Sequence, residues 1–269
     1  MIRRTLNATQ LGTFSVALPH EANQGMPTLT GTGFFISPDG WFVTAAHVIT
    51  ENGQSDGPVR SDIPNGWLMK EARPGQHISG MCTSLTFGCI NPETDFALLK
   101  VDFDANKNNK CLSGRSDFPH LTVSIRELEE GEPVYSFGYP LSESSLLVSS
   151  PGMSIGYLAH SPRVTSAIVA STMEATALVS GPDHVKVYVL DKALNYGNSG
   201  GPIVAVETGH VHALCSRFIP VVIPQSHLPD GNGQPTQIVV PSLYGVVSSL
   251  ANTEVIGELR SRGIPMASD

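Results

Sequence analysis

The chain reads GNSGGP from residue 197 to residue 202, and this run decides how the rest of the sequence is interpreted. Glycine reaches backbone conformations that other residues avoid, so the glycines around Ser199 predict a tight turn that presents its hydroxyl. Such a turn also lets the backbone N–H groups of Gly197 and Ser199 point at one spot, as two donors for an oxyanion. Taken alone, however, a glycine-rich turn with a serine is usually an ordinary loop. Its meaning depends on whether the chain also supplies a base and an acid.

Two earlier segments supply these groups. His47 follows the apolar run 41–44, and Asp95 stands at the start of another, residues 96–101. Either residue by itself is more often structural. A serine hydroxyl is a poor nucleophile unless a histidine takes its proton, and an acid holds that histidine in one tautomer. We therefore predict His47, Asp95 and Ser199 as a catalytic set, with Gly197 and Ser199 as the oxyanion donors.

The hydrophobic pattern is mostly of the strand type. Short apolar runs alternate with turn residues, and the 269-residue chain contains 26 glycines and 20 prolines. The turn Ser-Pro-Asp-Gly at residues 37–40 is a strong hairpin signal. Many short strands at this spacing predict an all-β sandwich or barrel. The strand candidates are residues 13–18, 33–36, 41–44, 96–101, 133–138, 155–159, 165–170, 185–190, 203–206, 211–214 and 237–240.

Helix and loop signals are fewer. Ser242 is a candidate cap for a helix that begins at Leu243, and a second helical turn is predicted over residues 252–261. Two stretches, residues 51–66 and 220–235, are rich in polar and turn-forming residues and predict surface loops.

The charge balance excludes one class of partner. The formal net charge is -8 and the 16 Lys and Arg residues are scattered, whereas nucleic-acid binding needs clustered positive charge. We therefore expect no nucleic-acid partner. Residues 1–17 contain no apolar core of signal-peptide length, and no window approaches a membrane-spanning run, so we expect no membrane attachment and a cytoplasmic location. A periplasmic or secreted location stays open if a signal peptide was removed.

The cysteines and histidines predict neither a disulfide scaffold nor a metal site. Four irregularly spaced cysteines fit a reducing compartment, although a single bridge from Cys82 to Cys89 stays open. His210 and His212 share one face of a predicted strand, but Cys215 faces the opposite side. We therefore predict no metal site, and no feature of the sequence requires a cofactor.

Five segments carry a family resemblance when they are taken in chain order. They are residues 31–47 around the histidine, 95–99 after the aspartate, 131–140, 191–203 around the serine, and 239–242. Together they resemble the trypsin-like peptidases, and most closely the HtrA (Deg) type. The resemblance implies two six-stranded antiparallel β-barrels, with the active site in the cleft between them and a short C-terminal helix. It further implies one peptidase domain, with residues 1–118 in the first barrel and 119–269 in the second barrel and terminal helix.

The resemblance also implies details of the site. Asn198 stands where many secreted trypsins have an aspartate that pairs with a new N-terminus, so we expect activity without zymogen cleavage. Ser216 is expected to hydrogen-bond Asp95. A primary pocket without an acid disfavours cleavage after Lys or Arg, because their charge would be desolvated without a partner. A small or medium apolar residue is favoured, and attraction of an acidic side chain by Arg217 stays open. The pocket residues implied are Ala193, Leu194, Asn195, Ser216, Arg217 and Phe218.

The sequence therefore predicts a serine endopeptidase that hydrolyses protein or peptide substrates through an acyl-enzyme, with an esterase side reaction left open. HtrA proteins usually carry PDZ domains after the protease, and the printed chain ends at Asp269, so we expect none here. The segment 220–235 is expected beside the substrate cleft, as a lid, an exosite or a tolerated loop. The alternative function is a binding protein of the same fold, or a site that stays silent until a regulatory protein partner switches it. The intact catalytic set favours the enzyme, because folding does not require it.

Overall fold

The computed structural model describes residues 2–19, 27–70, 81–140, 143–150, 153–159, 161–174, 185–229 and 235–268. Strands dominate these ranges, and none of the helices described there is long and apolar enough to cross a membrane. The strands are β1 (Thr13–Pro19), β2 (Pro27–Phe35), β3 (Trp41–Ala45), β4 (Trp67–Met69), β5 (Met81–Cys82), β6 (Leu85–Asn91), β7 (Phe96–Val101), β8 (Val123–Ser124), β9 (Pro133–Gly138), β10 (Glu143–Ser150), β11 (Met153–Ala159), β12 (Arg163–Glu174), β13 (Lys186–Leu190), β14 (Pro202–Ala205), β15 (Val211–Pro229), β16 (Pro235–Ser249) and β17 (Met266–Ala267). The α-helices are α1 (Ile2–Gly12), α2 (Phe103–Asn106) and α3 (Thr253–Ser261).

The first seven strands form one antiparallel sheet that curves into a half-barrel, in the order β5-β4-β1-β2-β3-β7-β6. β2 and β3 form the hairpin predicted from the turn at residues 37–40. Gly40 in this turn has a φ of +100°, and a Cβ there would lie 2.2 Å from the carbonyl oxygen of Val101. Only glycine fits such a position. In the core of this sheet, Phe35 stacks on Phe118 with a distance of 4.3 Å between ring centroids.

The second large sheet closes into a barrel. Its order is β14-β9-β12-β13-β16-β15-β8-β17, and a further pairing of β14 with β15 joins six of these strands in a ring. β10 and β11 form a separate two-stranded sheet. The predicted all-β class with two barrel-like sheets is confirmed. The first sheet differs in detail from the expected closed six-stranded barrel, because its described part has seven strands and forms a half-barrel.

The helix predicted to begin at Leu243 is wrong. β16 continues to Ser249 and pairs with β13 and β15. Val246 and Val247 are buried in these pairings, and branched side chains of this kind pack well on a strand. Burial of these valines in the barrel therefore outweighs the helix-capping tendency of Ser242. The helix predicted over residues 252–261 is present as α3.

The surface loop predicted at residues 220–235 is also wrong for most of its length. β15 extends to Pro229 and β16 begins at Pro235, so the two strands form a long hairpin, and residues 230–234 lie outside the described part of the chain. The prolines suggested a loop because proline cannot donate a hydrogen bond to a strand ladder. The pairing of β15 with β16 shifts register next to Pro220 and next to Pro229. Irregularities of this kind let a strand contain proline. The other predicted loop, residues 51–66, consists of turns and a short 3-10 helix.

The N-terminal helix α1 was not predicted. Thr9 on this helix lies 2.9 Å from the hydroxyl of Tyr135 in β9, measured between the two side-chain oxygens. The ammonium group of Lys70 donates hydrogen bonds to the carbonyls of Gln10 and Leu11 in the last helical turn. Short helices are marginal by themselves, so tertiary contacts of this kind stabilise α1, and no local pattern reveals them.

Candidate active site

The pairing of β3 with β7 brings the predicted base and acid together. His47 lies in a short 3-10 helix directly after β3, and Asp95 lies directly before β7. Because the strands are antiparallel and Ala45 pairs with Phe96, the end of one meets the start of the other. Asp95 itself has a φ of +51°, a left-handed conformation that aspartate tolerates better than most residues. The fold therefore positions both side chains at one end of the first sheet.

Hydrogen bonds hold the imidazole of His47 against a buried carboxylate. The Nδ1 atom of His47 lies 2.8 Å from Oδ2 of Asp95 and 3.0 Å from Oδ1, and the backbone N–H of His47 donates to Oδ1 at 3.0 Å. Ser216 donates its hydroxyl to Oδ2 at 2.5 Å, as the resemblance implied. These four contacts fix the position of the carboxylate and the plane of the ring.

The charge of Asp95 follows from the same contacts. Burial by itself would raise the pKa of Asp95, but the hydrogen bonds from His47 and Ser216 and the charge of His47 hold this pKa below its ordinary value. The ionised carboxylate can only accept hydrogen bonds, so the proton of a neutral His47 ring belongs on Nδ1. That tautomer leaves the Nε2 lone pair free to act as a base.

The serine lies on the tight turn that the glycines predict. The N–H of Asn198 donates to the carbonyl of Asn195 at 3.1 Å, and Gly197 at the third position of this turn has a φ of +94°. These values describe a type II turn. A Cβ on Gly197 would lie 2.4 Å from the carbonyl oxygen of Tyr139, so a larger residue is excluded by contact as well as by conformation. Ser199 directly follows this glycine-dependent turn and lies in the next one, residues 198–201, where the N–H of Gly201 donates to the carbonyl of Asn198 at 2.8 Å.

Thr32 of β2 joins this turn to the first sheet. Its N–H donates to the carbonyl of Ser199 at 2.7 Å, and its hydroxyl donates to the carbonyl of Gly197 at 2.6 Å. The same hydroxyl accepts the N–H of Tyr139 at 3.1 Å, and the Thr32 carbonyl accepts the hydroxyl of Thr44 at 2.7 Å. Thr32 is fully buried, so each of its polar groups is satisfied by a neighbour rather than by water. The turn that carries the serine is thus fixed relative to β2 and β3.

His47 and Ser199 line the same cavity, which has a volume of about 640 Å³. Among the described residues no hydrogen bond joins these two side chains, and Gly197 contributes to the same wall. The residues that line the cavity are Leu29, Thr30, His47, Gly53, Gln54, Ser55, Leu194, Asn195, Tyr196, Gly197, Ser199, Cys215, Ser216 and Arg217. No aspartate or glutamate is in this set, whereas arginine and histidine are.

The predicted pocket residues are mostly in this wall. Leu194, Asn195, Ser216 and Arg217 line the cavity, whereas Ala193 is not among the lining residues. The side chain of Phe218 lies outside the described part of the structure. Sequence reasoning missed Tyr196 and Cys215, although both adjoin predicted pocket residues, and it missed two more distant groups. These are Leu29 and Thr30 on β2 and the turn Gly53 to Ser55, for which the sequence carries no local signal.

The histidines considered as metal ligands have other surroundings. The Nδ1 atom of His212 lies 2.9 Å from the carbonyl oxygen of Arg126, and His212 is fully buried. Within the described ranges, no group of three or more His, Cys, Asp or Glu residues is arranged to hold a metal ion.

We expect Asp95→Asn to lower the free energy of unfolding by about 1–3 kcal/mol near pH 6, because it weakens a buried hydrogen-bond network. The folded-state pKa of Asp95 is depressed, so its stabilising contribution is complete above the unfolded-state pKa of about 3.9 and is lost as the pH falls through the lower folded-state value. Urea unfolding of both proteins at several pH values measures the difference. This difference should shrink as the pH falls below about 4. Growth of the difference on acidification would contradict the assignment.

Comparisons with known proteins identify the family of this chain. A family model described as the trypsin-like peptidase domain matches residues 31–214. Serine protease HTR4 of Rattus norvegicus is 28% identical over 187 residues, which are 69% of this chain and 29% of that protein. Serine protease HTRA1A of Danio rerio is 28% identical over 186 residues, which are 68% of this chain and 29% of that protein. The chain thus spans less than a third of the length of these relatives.

A solved structure shows the same fold. The structure described as HtrA-type protease AlgW with tripeptide has a TM-score of 0.55 and 17% sequence identity, and the match covers 98% of this chain and 65% of that one. The family match spans the segments that contain His47, Asp95 and Ser199. This chain therefore belongs to the trypsin-like peptidase family.

Proposed function

We propose that the chain is a serine endopeptidase of the HtrA type, with His47, Asp95 and Ser199 as its catalytic triad. One observation carries the proposal: an imidazole held by a buried carboxylate shares a cavity with a serine on a glycine turn. Neither the buried carboxylate nor the glycine turn is needed for a barrel to fold. A family of known peptidases matches over the same segments.

In the proposed reaction, the Ser199 hydroxyl attacks the carbonyl carbon of a peptide bond. The Nε2 atom of His47 takes the hydroxyl proton and then gives it to the leaving amine, which produces an acyl-enzyme. Asp95 keeps the ring in the required tautomer and stabilises the imidazolium. A water molecule, deprotonated by His47, then releases the acid product. No metal or cofactor enters these steps.

The N–H groups of Gly197 and Ser199 are the proposed donors to the oxyanion. A type II turn at residues 195–198 requires a positive φ at Gly197, and the observed value is +94°. A turn with its central peptide flipped would require a negative φ at that glycine. The hydrogen bond from Thr32 to the carbonyl of Gly197 supports the observed orientation. Donors arranged before the substrate arrives need no reorganisation during the reaction.

We further propose that the protein needs no zymogen cleavage. Asn198 is buried beside the serine, and its amide cannot form an ion pair with a new N-terminus. The turn is instead held by neutral hydrogen bonds to Thr32 and by its own backbone bonds. These contacts are present in the single uncleaved chain.

The cavity favours peptides with a small or medium apolar residue at the cleaved position. Leu194 and Cys215 supply apolar surface to its wall, and the lining residues in the described part of the chain include no acid to pair with a lysine or arginine. Arg217 adds positive charge to the wall, so it disfavours basic side chains near the cleaved bond. Peptide binding is consistent with the structure described as HtrA-type protease AlgW with tripeptide.

A second candidate function is a site that is silent at rest and is switched on by a regulatory protein. The observation that favours it is the lack of a hydrogen bond between His47 and Ser199 in the described structure. Catalytic hydrogen bonds are often long without substrate and tighten in the complex, so the geometry is compatible with both functions. The net charge of -8 disfavours nucleic acid as the regulator.

A fluorophosphonate probe is expected to modify Ser199 in the folded, purified protein, because the probe reacts only with an activated serine. Mass spectrometry of the labelled peptide locates the adduct. Ser199→Ala should lose the label, whereas the matched control Ser113→Ala, at an exposed serine, should retain it. A folded protein that acquires no adduct at Ser199 would contradict an active enzyme and favour the silent site.

We expect Thr32→Val to reduce kcat about tenfold to a hundredfold with little change in KM. Valine preserves the shape of threonine but removes the bond to the Gly197 carbonyl, so the oxyanion donors lose their support while the cavity wall stays in place. Steady-state kinetics on a peptide substrate measures kcat and KM separately. Thr32→Ser, which retains the hydroxyl, should recover most of kcat. Equal losses in both variants would show that Thr32 acts through packing and not through its hydroxyl.

Cleavage of a peptide library should show few products cut after Lys or Arg. Removal of the positive charge in Arg217→Ala should relax the bias against basic residues near the cleaved bond, with a change of about tenfold or less in relative rates. Mass spectrometry of the products gives both preferences. Predominant cleavage after Lys or Arg in the unaltered protein would overturn the proposed specificity.

A further inference from the structure

Two cysteines outside the active-site cavity lie side by side. The Sγ atoms of Cys82 and Cys111 are 4.0 Å apart, although the residues are 29 positions apart in the chain. Cys82 is fully buried at the end of β5, and Cys111 is partly exposed in the 3-10 helix Lys110–Leu112. The sequence left open a bridge between Cys82 and Cys89, but the structure gives Cys82 a different sulfur neighbour. Cys89 lies on β6, where its backbone pairs with Leu98.

The chain on both sides of this pair is tied together by one buried asparagine. Asn106 accepts the N–H of Thr83 at 2.9 Å and donates its amide to the carbonyl of Thr83 at 2.9 Å. The backbone carbonyl of Asn106 accepts the N–H of Asn109 at 2.9 Å. Thr83 adjoins Cys82, and Asn109 lies two residues before Cys111. The approach of the two sulfurs is therefore part of a hydrogen-bonded framework.

The two thiols differ in acidity. The contact with the Cys111 sulfur, together with burial, raises the pKa of the Cys82 thiol. The same contact, aided by Lys70, lowers the pKa of Cys111 to about 7, and burial lowers the pKa of Lys70 itself to about 7. Lys70 is held in place by hydrogen bonds to backbone carbonyls, including that of Thr13 at 2.6 Å, and by the ring of Phe14, whose centroid is 3.8 Å from Nζ. Cys111 thus has the features of an attacking thiolate, and Cys82 those of a resolving thiol.

We propose that Cys82 and Cys111 form a redox modification site that reacts with small disulfides such as oxidised glutathione. The Cys111 thiolate attacks one sulfur of the small disulfide, forms a mixed disulfide and releases one thiolate. Cys82 then loses its proton and attacks the Cys111 sulfur, which forms the Cys82–Cys111 bond and releases the second thiol. The protein loses two electrons and two protons, and the small disulfide is reduced to two thiols. The sulfurs must approach from 4.0 Å to a bond length of about 2.0 Å, which requires a rotation of side chains.

The bridge would close a loop that contains β6, β7 and Asp95. Closing a loop of this length restricts the unfolded chain, so the oxidised protein should unfold at a temperature several degrees higher than the reduced protein. Neither cysteine lines the active-site cavity. The bridge therefore tethers the segment that carries the acid without entering the site itself.

The test incubates the full chain in glutathione buffers of increasing oxidised fraction, quenches with acid, and alkylates the remaining thiols. Peptide mass spectrometry is expected to find a linked peptide that contains Cys82 and Cys111 and lacks two hydrogens. Cys89 and Cys215 should be found as alkylated thiols. Tm should rise in the same samples by several degrees and return after reduction.

Three variants assign the roles of the sulfurs. Cys82→Ser should stop at a glutathione adduct on Cys111, because the resolving thiol is missing. Cys111→Ser should leave Cys82 unmodified over the same time. Cys89→Ser is the matched control, with another partly exposed cysteine changed, and should form the bridge as the unaltered protein does. An unaltered protein whose two thiols stay reduced in fully oxidised glutathione would overturn the proposal, as would a bridge to Cys89 or between two chains.

Discussion

The proposed active site depends on the hydrogen bonds that Thr32 makes between the two sheets. Ser199 lies on the turn before the second barrel's β14, whereas His47 and Asp95 belong to the first sheet. A proton can pass between serine and histidine only if the two sheets are in a fixed relation at this point. Thr32 provides that relation, because its N–H and hydroxyl bind the carbonyls of Ser199 and Gly197 while its own carbonyl binds Thr44 near the end of β3. These bonds are short and buried, so water does not compete with them.

The protonation of His47 and Asp95 follows from the hydrogen bonds around the Asp95 carboxylate. Three donors surround the carboxylate of Asp95, so it stays ionised in spite of its burial, and its charge assigns the tautomer of His47. One of these donors is Ser216, which lies directly before Arg217 in the cavity wall. The strand that supports the acid thus also presents the charge proposed to select substrates. Under this proposal, a change at this strand would affect the catalytic rate and the specificity together.

Much of the fold and of the site could be predicted from the sequence, because both are encoded by short local patterns. The glycine turn around Ser199, the hairpin turn at residues 37–40 and the strand runs before His47 and after Asp95 are each readable within a few residues. The errors arose where tertiary contacts dominate. Residues 243–249 and the proline-rich 220–229 are strands because they pair across the barrel, and α1 is held by contacts with β9 and Lys70. The role of Thr32 and the approach of Cys82 to Cys111 likewise have no local signal.

The most direct test of a preassembled site is a crystal structure of the protein with a phosphonate bound covalently to Ser199. The phosphoryl oxygen is expected to lie within about 3 Å of the N–H groups of both Gly197 and Ser199. His47 Nε2 is expected to lie within hydrogen-bonding distance of the Ser199 oxygen, with the Thr32 to Gly197 bond intact. A phosphoryl oxygen directed away from the Gly197 N–H, with the turn flipped and the Thr32 bond broken, would contradict the claim that Thr32 holds a preassembled site.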